Sequence, residues 1–127
     1  MSDSIELSPT PASVALARRW SQGVVERFDD ADLADTMALL VSELVSNVVL
    51  HARTPCSLSI CEAGDRLRVE VQDGSDRMPG IQQETDPMAQ SGRGMILVDG
   101  LSAAHGVEPE PLGGKRVWFE LLVPGVA

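Results

Sequence analysis

The sequence has few of the residues that form disulfides or transition-metal sites. Two cysteines and two histidines occur in 127 residues. Cys56 and Cys61 fall in one strand-like run, and their odd separation places the two side chains on opposite faces, where they cannot bond to each other. His51 and His105 lack the paired spacing of a zinc site. We therefore expect two reduced, structural cysteines and no transition-metal centre.

Long apolar runs and an excess of basic residues are also missing. The longest apolar stretches, such as 39–41 and 48–50, are far below the roughly 20 residues that span a bilayer. The N-terminus carries acids where a signal peptide carries positive charge. Nineteen acids against ten Lys and Arg give a net charge of −9, which argues against direct nucleic-acid binding. We expect a cytoplasmic protein with no membrane helix and a protein or small-molecule partner.

The remaining composition is that of one globular domain. An apolar fraction of 43% is enough for a core, and the chain shows neither an internal repeat nor a low-complexity tract. We therefore expect a single domain over residues 1–127.

Two helices are predicted in the first half of the chain, after a short strand at 5–7. Prolines on either side of Thr10 signal the start of the first helix. Its apolar stripe is Val14, Ala17, Trp20, Val24 and Phe28. Asp30 or Asp32 is the expected N-cap of the second helix. Its stripe is Leu33, Met37, Leu40, Val41, Leu44 and Val48.

The second half of the chain is predicted to be mostly strands. Alternating residues indicate a hairpin with strands at 56–62 and 66–72. Residues 74–91 form a stretch longer than an ordinary connection, which makes them a candidate functional loop or lid. A short third helix follows Gly94. An edge strand broken by Pro109 and Pro111 comes next, and a strand at 116–123 closes the chain. The order β-α-α-β-β-loop-α-β-β predicts an α+β sandwich with helices on one face of a mostly antiparallel sheet.

Glu43 and Asn47 are candidate functional residues on the second helix. Because they are four residues apart, they share a helix face, and that face borders the apolar stripe. A carboxylate and an amide so placed could orient a hydroxyl and coordinate a hard cation. The same pair could also be an incidental feature of a solvated helix edge.

Two further groups of residues could hold a ligand, and each has an ordinary alternative. Asp73, before Gly74, could accept a hydrogen bond from an exocyclic amine, or could simply form a turn. The run Ser91-Gly92-Arg93-Gly94 opens a helix, so its backbone N–H groups and the Arg93 cation could hold phosphate. Glycine loops also serve as plain turns, however. Lys115 after a glycine pair could face an anion or merely follow a hairpin turn.

The order of these segments resembles the boxes of the GHKL superfamily. The four segments are ELVSNVVLHA at 43–52, VQDGS at 71–75, SGRGMILV at 91–98 and GKRVWFEL at 114–121. The short length and the Gly-Arg-Gly-Met-Ile-Leu-Val form look most like the anti-sigma-factor serine kinases. The resemblance extends from Ile5 to Val123.

This resemblance implies a Bergerat-type two-layer sandwich, with helices on one face of a mostly antiparallel mixed sheet, that binds ATP. It implies that Asn47 ligates Mg²⁺, that Asp73 binds the adenine amine, and that Glu43 orients or deprotonates a substrate serine. Gly92, Arg93 and Gly94 would hold the phosphates. The implied substrate is an anti-anti-sigma factor, whose phosphorylation frees this protein to hold a sigma factor. Relatives of this kind commonly form homodimers.

The chain departs from the pattern of many relatives at three positions. Leu50 stands where many have a basic residue, and Ser75 and Arg77 stand where fuller boxes have glycine. These departures leave a second hypothesis open. The protein could be a nucleotide-responsive ATP-binding module that sequesters a regulatory partner without phosphoryl transfer.

Overall fold

The computed structural model describes residues 2–75 and 98–123. Its elements are β1 (Ser2–Leu7), α1 (Ala12–Val25), a 3₁₀ turn (Glu26–Phe28), α2 (Ala31–Asn47), a π-helical turn (Val48–Ala52), β2 (Cys56–Ala63), β3 (Arg66–Asp73), β4 (Ala104–Pro109) and β5 (Lys115–Leu122). Residues 98–101 are also helical. Within these residues, the element order is the one that the sequence predicts.

Helix α1 packs against β1 and β2, on one side of the sheet. It begins at Ala12, directly after the second proline, and its Ala17 and Val25 are fully buried. Trp20 and the other apolar residues of the predicted stripe pack against the same core. The helix and its 3₁₀ turn end at Asp29, whose left-handed backbone (φ 50°) turns the chain toward α2.

Helix α2 is the central helix of the core. Asp30 caps it, because its side chain accepts a hydrogen bond of 2.9 Å from the backbone N–H of Leu33. Every residue of its predicted apolar stripe is buried. The π-helical turn continues the helix to Ala52, and Arg53 then ends it with a left-handed backbone (φ 57°). The polar residues near the end of α2 are therefore held by a well-anchored helix.

The five strands form one sheet in the order β1-β2-β3-β5-β4. All four pairings among these strands are antiparallel. The helix-facing side of β3 carries Leu67, Val69 and Val71, which meet Phe119 and other apolar residues of β5 in the core. The predicted α+β sandwich is thus confirmed, with antiparallel pairing throughout the described strands.

The other face of the sheet is polar, and several ion pairs join its charged side chains. Arg68 contacts Glu70 on its own strand at 2.7 Å and Glu120 on β5 at 3.1 Å. Its guanidinium also lies 4.0 Å from the ring centroid of Trp118. Neither α1 nor α2 covers this face. Along each strand, charged residues of this face alternate with buried residues of the other face. A slip of one residue would exchange the two faces, so this alternation fixes the register of the sheet.

The expectation that no segment could span a membrane is wrong as far as length and composition are concerned. Ala31–Ala52 forms 22 helical residues with a mean hydropathy of 1.6. Counting uninterrupted apolar runs missed this segment, because Asp32, Asp35 and Glu43 divide it. Half of its apolar window is buried within the protein, which is typical of a core helix.

Candidate functional site

Asn47 is the most unusual polar residue of the described chain. It is 9% exposed, and neither its Oδ1 nor its Nδ2 has a hydrogen-bond partner within the described residues. An unpaired buried amide is costly, and native proteins rarely keep one without a reason. Asn47, the last residue of α2, therefore carries a buried amide whose partners the described residues do not supply.

His51 lies on the π-helical turn that follows, and sequence reasoning gave it no role. Its Nε2 is buried and also lacks a partner in the part of the chain that the structure describes. The spacing of four residues between Asn47 and His51 was the one sign in the sequence that the two side chains lie near each other. A π-helical turn, however, cannot be predicted from such spacing. Such turns often occur at functional sites. The helix end thus carries three unsatisfied buried polar atoms on two side chains.

A hydrogen bond joins this helix end to the end of β3. The Oγ1 of Thr54 accepts a bond of 2.9 Å from the backbone N–H of Gly74. Thr54 follows the π-helical turn, whereas Gly74 follows Asp73 directly. The structure therefore connects the segment that holds Asn47 to the segment that holds Asp73, as the predicted site requires.

Asp73 and Lys115 form a buried ion pair at the ends of β3 and β5. The Nζ of Lys115 lies 3.0 Å from Oδ2 and 3.1 Å from Oδ1 of Asp73. The two side chains are 6% and 1% exposed, with Asp73 the more buried. The backbone N–H of Ser75 donates a further bond of 2.8 Å to Oδ1. The anion that Lys115 contacts here is thus the Asp73 carboxylate.

Gly114 permits the close approach that brings these two residues together. Its φ is +87°, and a Cβ at this position would collide with the backbone oxygen of Asp73. Only glycine combines this left-handed backbone with such a short approach. The glycine pair therefore shapes the end of the sheet beside the ion pair.

Cys56 lies opposite Asp73 on the neighbouring strand. Burial, followed by the negative charges of Asp73 and Glu6, raises the pKa of the Cys56 thiol to about 11. Both cysteines are free, as the sequence predicts. Cys56 is therefore a neutral, packed side chain beneath the site and is poorly suited to be a nucleophile.

Glu43 lies one turn before Asn47 and is half-buried. It lines a surface groove between α1 and α2 together with Arg18, Asp35 and Ser46. Its carboxylate makes no hydrogen bond or ion pair with any described residue. The structure places Glu43 and Asn47 on adjoining turns of α2, as expected, but Glu43 is the more accessible of the two.

The predicted phosphate-binding residues Gly92, Arg93 and Gly94 lie outside the described residues, as does most of the predicted 74–91 loop. Leu50 is described and is 47% exposed. No group of three or more His, Cys, Asp or Glu side chains that could hold a metal ion occurs in residues 2–75 and 98–123.

Comparison with known proteins identifies the family to which the chain belongs. The family of the histidine kinase-like ATPase domain matches residues 7–120, and the chain belongs to this family. A search of curated proteins found no match.

Among solved structures, the fold resembles the RsbU and RsbW domains of Rv1364c from Mycobacterium tuberculosis. The TM-score is 0.73 at 15% sequence identity, and the match covers 97% of this chain and 32% of the other. The present chain thus spans about a third of the length of that chain, and the likeness concerns the fold.

The described residues fit an ATP-Mg²⁺ ligand. Mg²⁺ typically takes one or two protein oxygens and completes its shell with phosphates and water, so one unpaired Asn47 amide suits it. The Asp73 carboxylate can accept a hydrogen bond from an amine. Membership of the family implies ATP as the nucleotide.

Proposed function

We propose that this protein is an ATP-dependent protein-serine kinase that also acts as an anti-sigma factor. The observation that carries the proposal is the unsatisfied Asn47 amide at the end of α2, in a chain of the histidine kinase-like ATPase family. The resemblance in fold to the RsbU and RsbW domains of Rv1364c also supports this proposal. Its substrate would be the serine hydroxyl of an anti-anti-sigma factor.

Each site residue has a distinct part in this proposal. Asn47 holds Mg²⁺ through its amide oxygen, and Asp73 binds the adenine amine. The backbone of Gly92 and Gly94 and the Arg93 guanidinium hold the phosphates. ATP supplies the phosphoryl group that is transferred. These residues mainly supply position and charge stabilisation, on which phosphoryl transfer depends.

Glu43 accepts the proton that the substrate serine loses in the reaction. Its unpaired carboxylate on an accessible helix face can orient the substrate serine and accept the hydroxyl proton. The groove that Glu43 lines with Ser46 is where a protein substrate can approach. The acidic surface, with a net charge of −9, favours a protein partner over nucleic acid.

Phosphorylation frees the protein to bind a sigma factor in this scheme. The protein would work in the cytoplasm, where sigma factors act, and would alternate between two protein partners. A homodimer is part of the proposal, by analogy with the family.

Transfer of radioactive phosphate from [γ-³²P]ATP to a serine of a candidate anti-anti-sigma factor tests the proposal. We expect Glu43→Gln to lower the transfer rate ~100-fold or more, because general bases contribute about 10²–10⁴-fold. Asp35→Asn is the matched control, since Asp35 is a carboxylate in the same groove. Equal rates for Glu43→Gln and the wild type would contradict the assignment.

A second candidate function is a nucleotide-responsive module that sequesters a partner without phosphoryl transfer. The exposed Leu50 favours it, because many relatives have a basic residue there that can contact phosphate. Saturable ATP binding without transfer to any candidate partner, and with partner affinity that changes with ATP, would support this second function.

A further inference from the structure

The buried ion pair between Asp73 and Lys115 is poorly explained by the stability of the sheet alone. Burying two charges costs desolvation energy, and well-packed apolar residues often serve as well or better. On the same face of β5, Val117, Phe119 and Leu121 are all apolar and buried. Lys115 is the one charged residue in this alternating set, and it begins the strand at the candidate site. Its charge therefore calls for a functional explanation.

The contacts of Asp73 determine what a ligand would meet here. Oδ1 accepts a bond from the Ser75 N–H and also lies 3.1 Å from the ammonium of Lys115. Oδ2 contacts only that ammonium, at 3.0 Å, within the described residues. A carboxylate oxygen can accept about two hydrogen bonds, so among the described residues Oδ2 keeps one accepting position. The third contact of the ammonium is with the backbone oxygen of Ser75 at 3.5 Å, the longest of the three, so this N–H is the one that a ligand can take over.

We propose that Lys115 is a base-recognition residue that reads the nucleotide together with Asp73. This inference rests on the proposed nucleotide-binding function, which places the adenine amine at Asp73. Adenine presents its N6 amine, a donor, next to N1, an acceptor. The Asp73 carboxylate accepts from N6, and the Lys115 ammonium donates to N1.

This arrangement favours adenine over guanine. Guanine carries a keto oxygen at position 6 and an N–H at position 1, which reverses the order of acceptor and donor. A guanine in the same place would set its keto oxygen against a carboxylate and its N–H against an ammonium. Each mismatch leaves a buried polar group unpaired, which selects strongly against the wrong ligand.

Binding of ATP and of 1-deaza-ATP, in which a carbon replaces N1, tests the proposal. Both are titrated with Mg²⁺ into the full chain by calorimetry, and GTP serves as a third ligand. We expect 1-deaza-ATP to bind ~10-fold or more weakly than ATP, because it leaves the ammonium without an acceptor. We expect GTP to bind more weakly still. Equal affinity for ATP and 1-deaza-ATP would overturn the role of Lys115 but leave the proposed function standing.

Substitution of Lys115 gives a second, independent readout. In Lys115→Met, the ratio of ATP to 1-deaza-ATP affinity should fall to about one, whereas a structural role alone would leave the ratio unchanged. Arg116→Met is the control, because Arg116 is the next residue of β5 and pairs with Glu108 on the other face. If Lys115→Met does not fold, the comparison of ATP with 1-deaza-ATP in the wild type still tests the proposal. Absence of ATP binding in the wild type would overturn this inference together with the proposed function.

Discussion

The Asn47→Leu substitution should make the ligand-free protein more stable and abolish its stabilisation by Mg²⁺-ATP. Asn47 is buried, and both polar atoms of its amide lack partners within the described chain. Leucine has a similar size and no polar atoms, so it removes the unsatisfied groups and adds apolar burial. If Asn47 is kept for binding, as we propose, its replacement should therefore help the free protein and harm the bound one.

The expected gain in the free energy of unfolding follows from the cost of a buried, unsatisfied amide. That cost is about 1–3 kcal/mol. For a domain of this size, it corresponds to a rise in Tm of about 5–15 °C. In the wild type, Mg²⁺-ATP at 100 times its Kd should itself add about 2.7 kcal/mol.

Thermal unfolding followed by circular dichroism, with and without Mg²⁺-ATP, measures both effects. Ser21→Ala is the control, because Ser21 is also a buried polar residue, but its hydroxyl donates a bond of 2.9 Å to the backbone oxygen of Arg18. We expect this variant to lose up to about 1 kcal/mol and to keep its response to the nucleotide. An Asn47→Leu protein that is less stable than the wild type without nucleotide would refute the reasoning.

Three further predictions concern the elements that hold the site. Asp30→Ala should lower stability by about 1 kcal/mol in urea unfolding, because the N-cap of α2 is lost, whereas Asp30→Asn should keep most of it. Gly114→Ala should cost about 2 kcal/mol or more and weaken nucleotide binding, because its Cβ would collide with the backbone of Asp73; unchanged urea unfolding would contradict this. At pH 8, iodoacetamide should modify the half-buried Cys61 long before Cys56, whose raised pKa of about 11 keeps it protonated, as mass spectrometry can show. The Cys56 thiol ionises at a lower pH in the unfolded chain than in the folded protein, because folding raises its pKa from 9.0 to about 11. The free energy of unfolding should therefore fall as the pH rises from about 9 toward 11.

The elements of the fold could be predicted closely from periodicity. The buried stripe of α2 and its Asp30 cap are as the sequence indicates, because one helix face must be apolar and its first N–H groups need an acceptor. Strand β3 was predicted at 66–72 and ends at Asp73. Such small differences arise because strand ends depend on pairing with a neighbour, which a single run of residues does not reveal.

The arrangement of the site depended on contacts between residues distant in the chain. Lys115 meets Asp73 because β5 pairs with β3, although the two residues are 42 positions apart in the sequence. The sequence could indicate that Lys115 faces an anion but not which anion. Nor could helical periodicity reveal the π-helical turn, which carries His51 beside the site. The sequence thus predicted the candidate residues better than their partners.

The most direct test of the account is calorimetric titration of ATP into the purified protein, with and without Mg²⁺. The account predicts saturable binding that requires Mg²⁺ for full affinity and that weakens in both Asn47→Ala and Asp73→Asn, while Ser21→Ala binds as the wild type does. A wild-type protein that binds no ATP under these conditions would contradict the central claim.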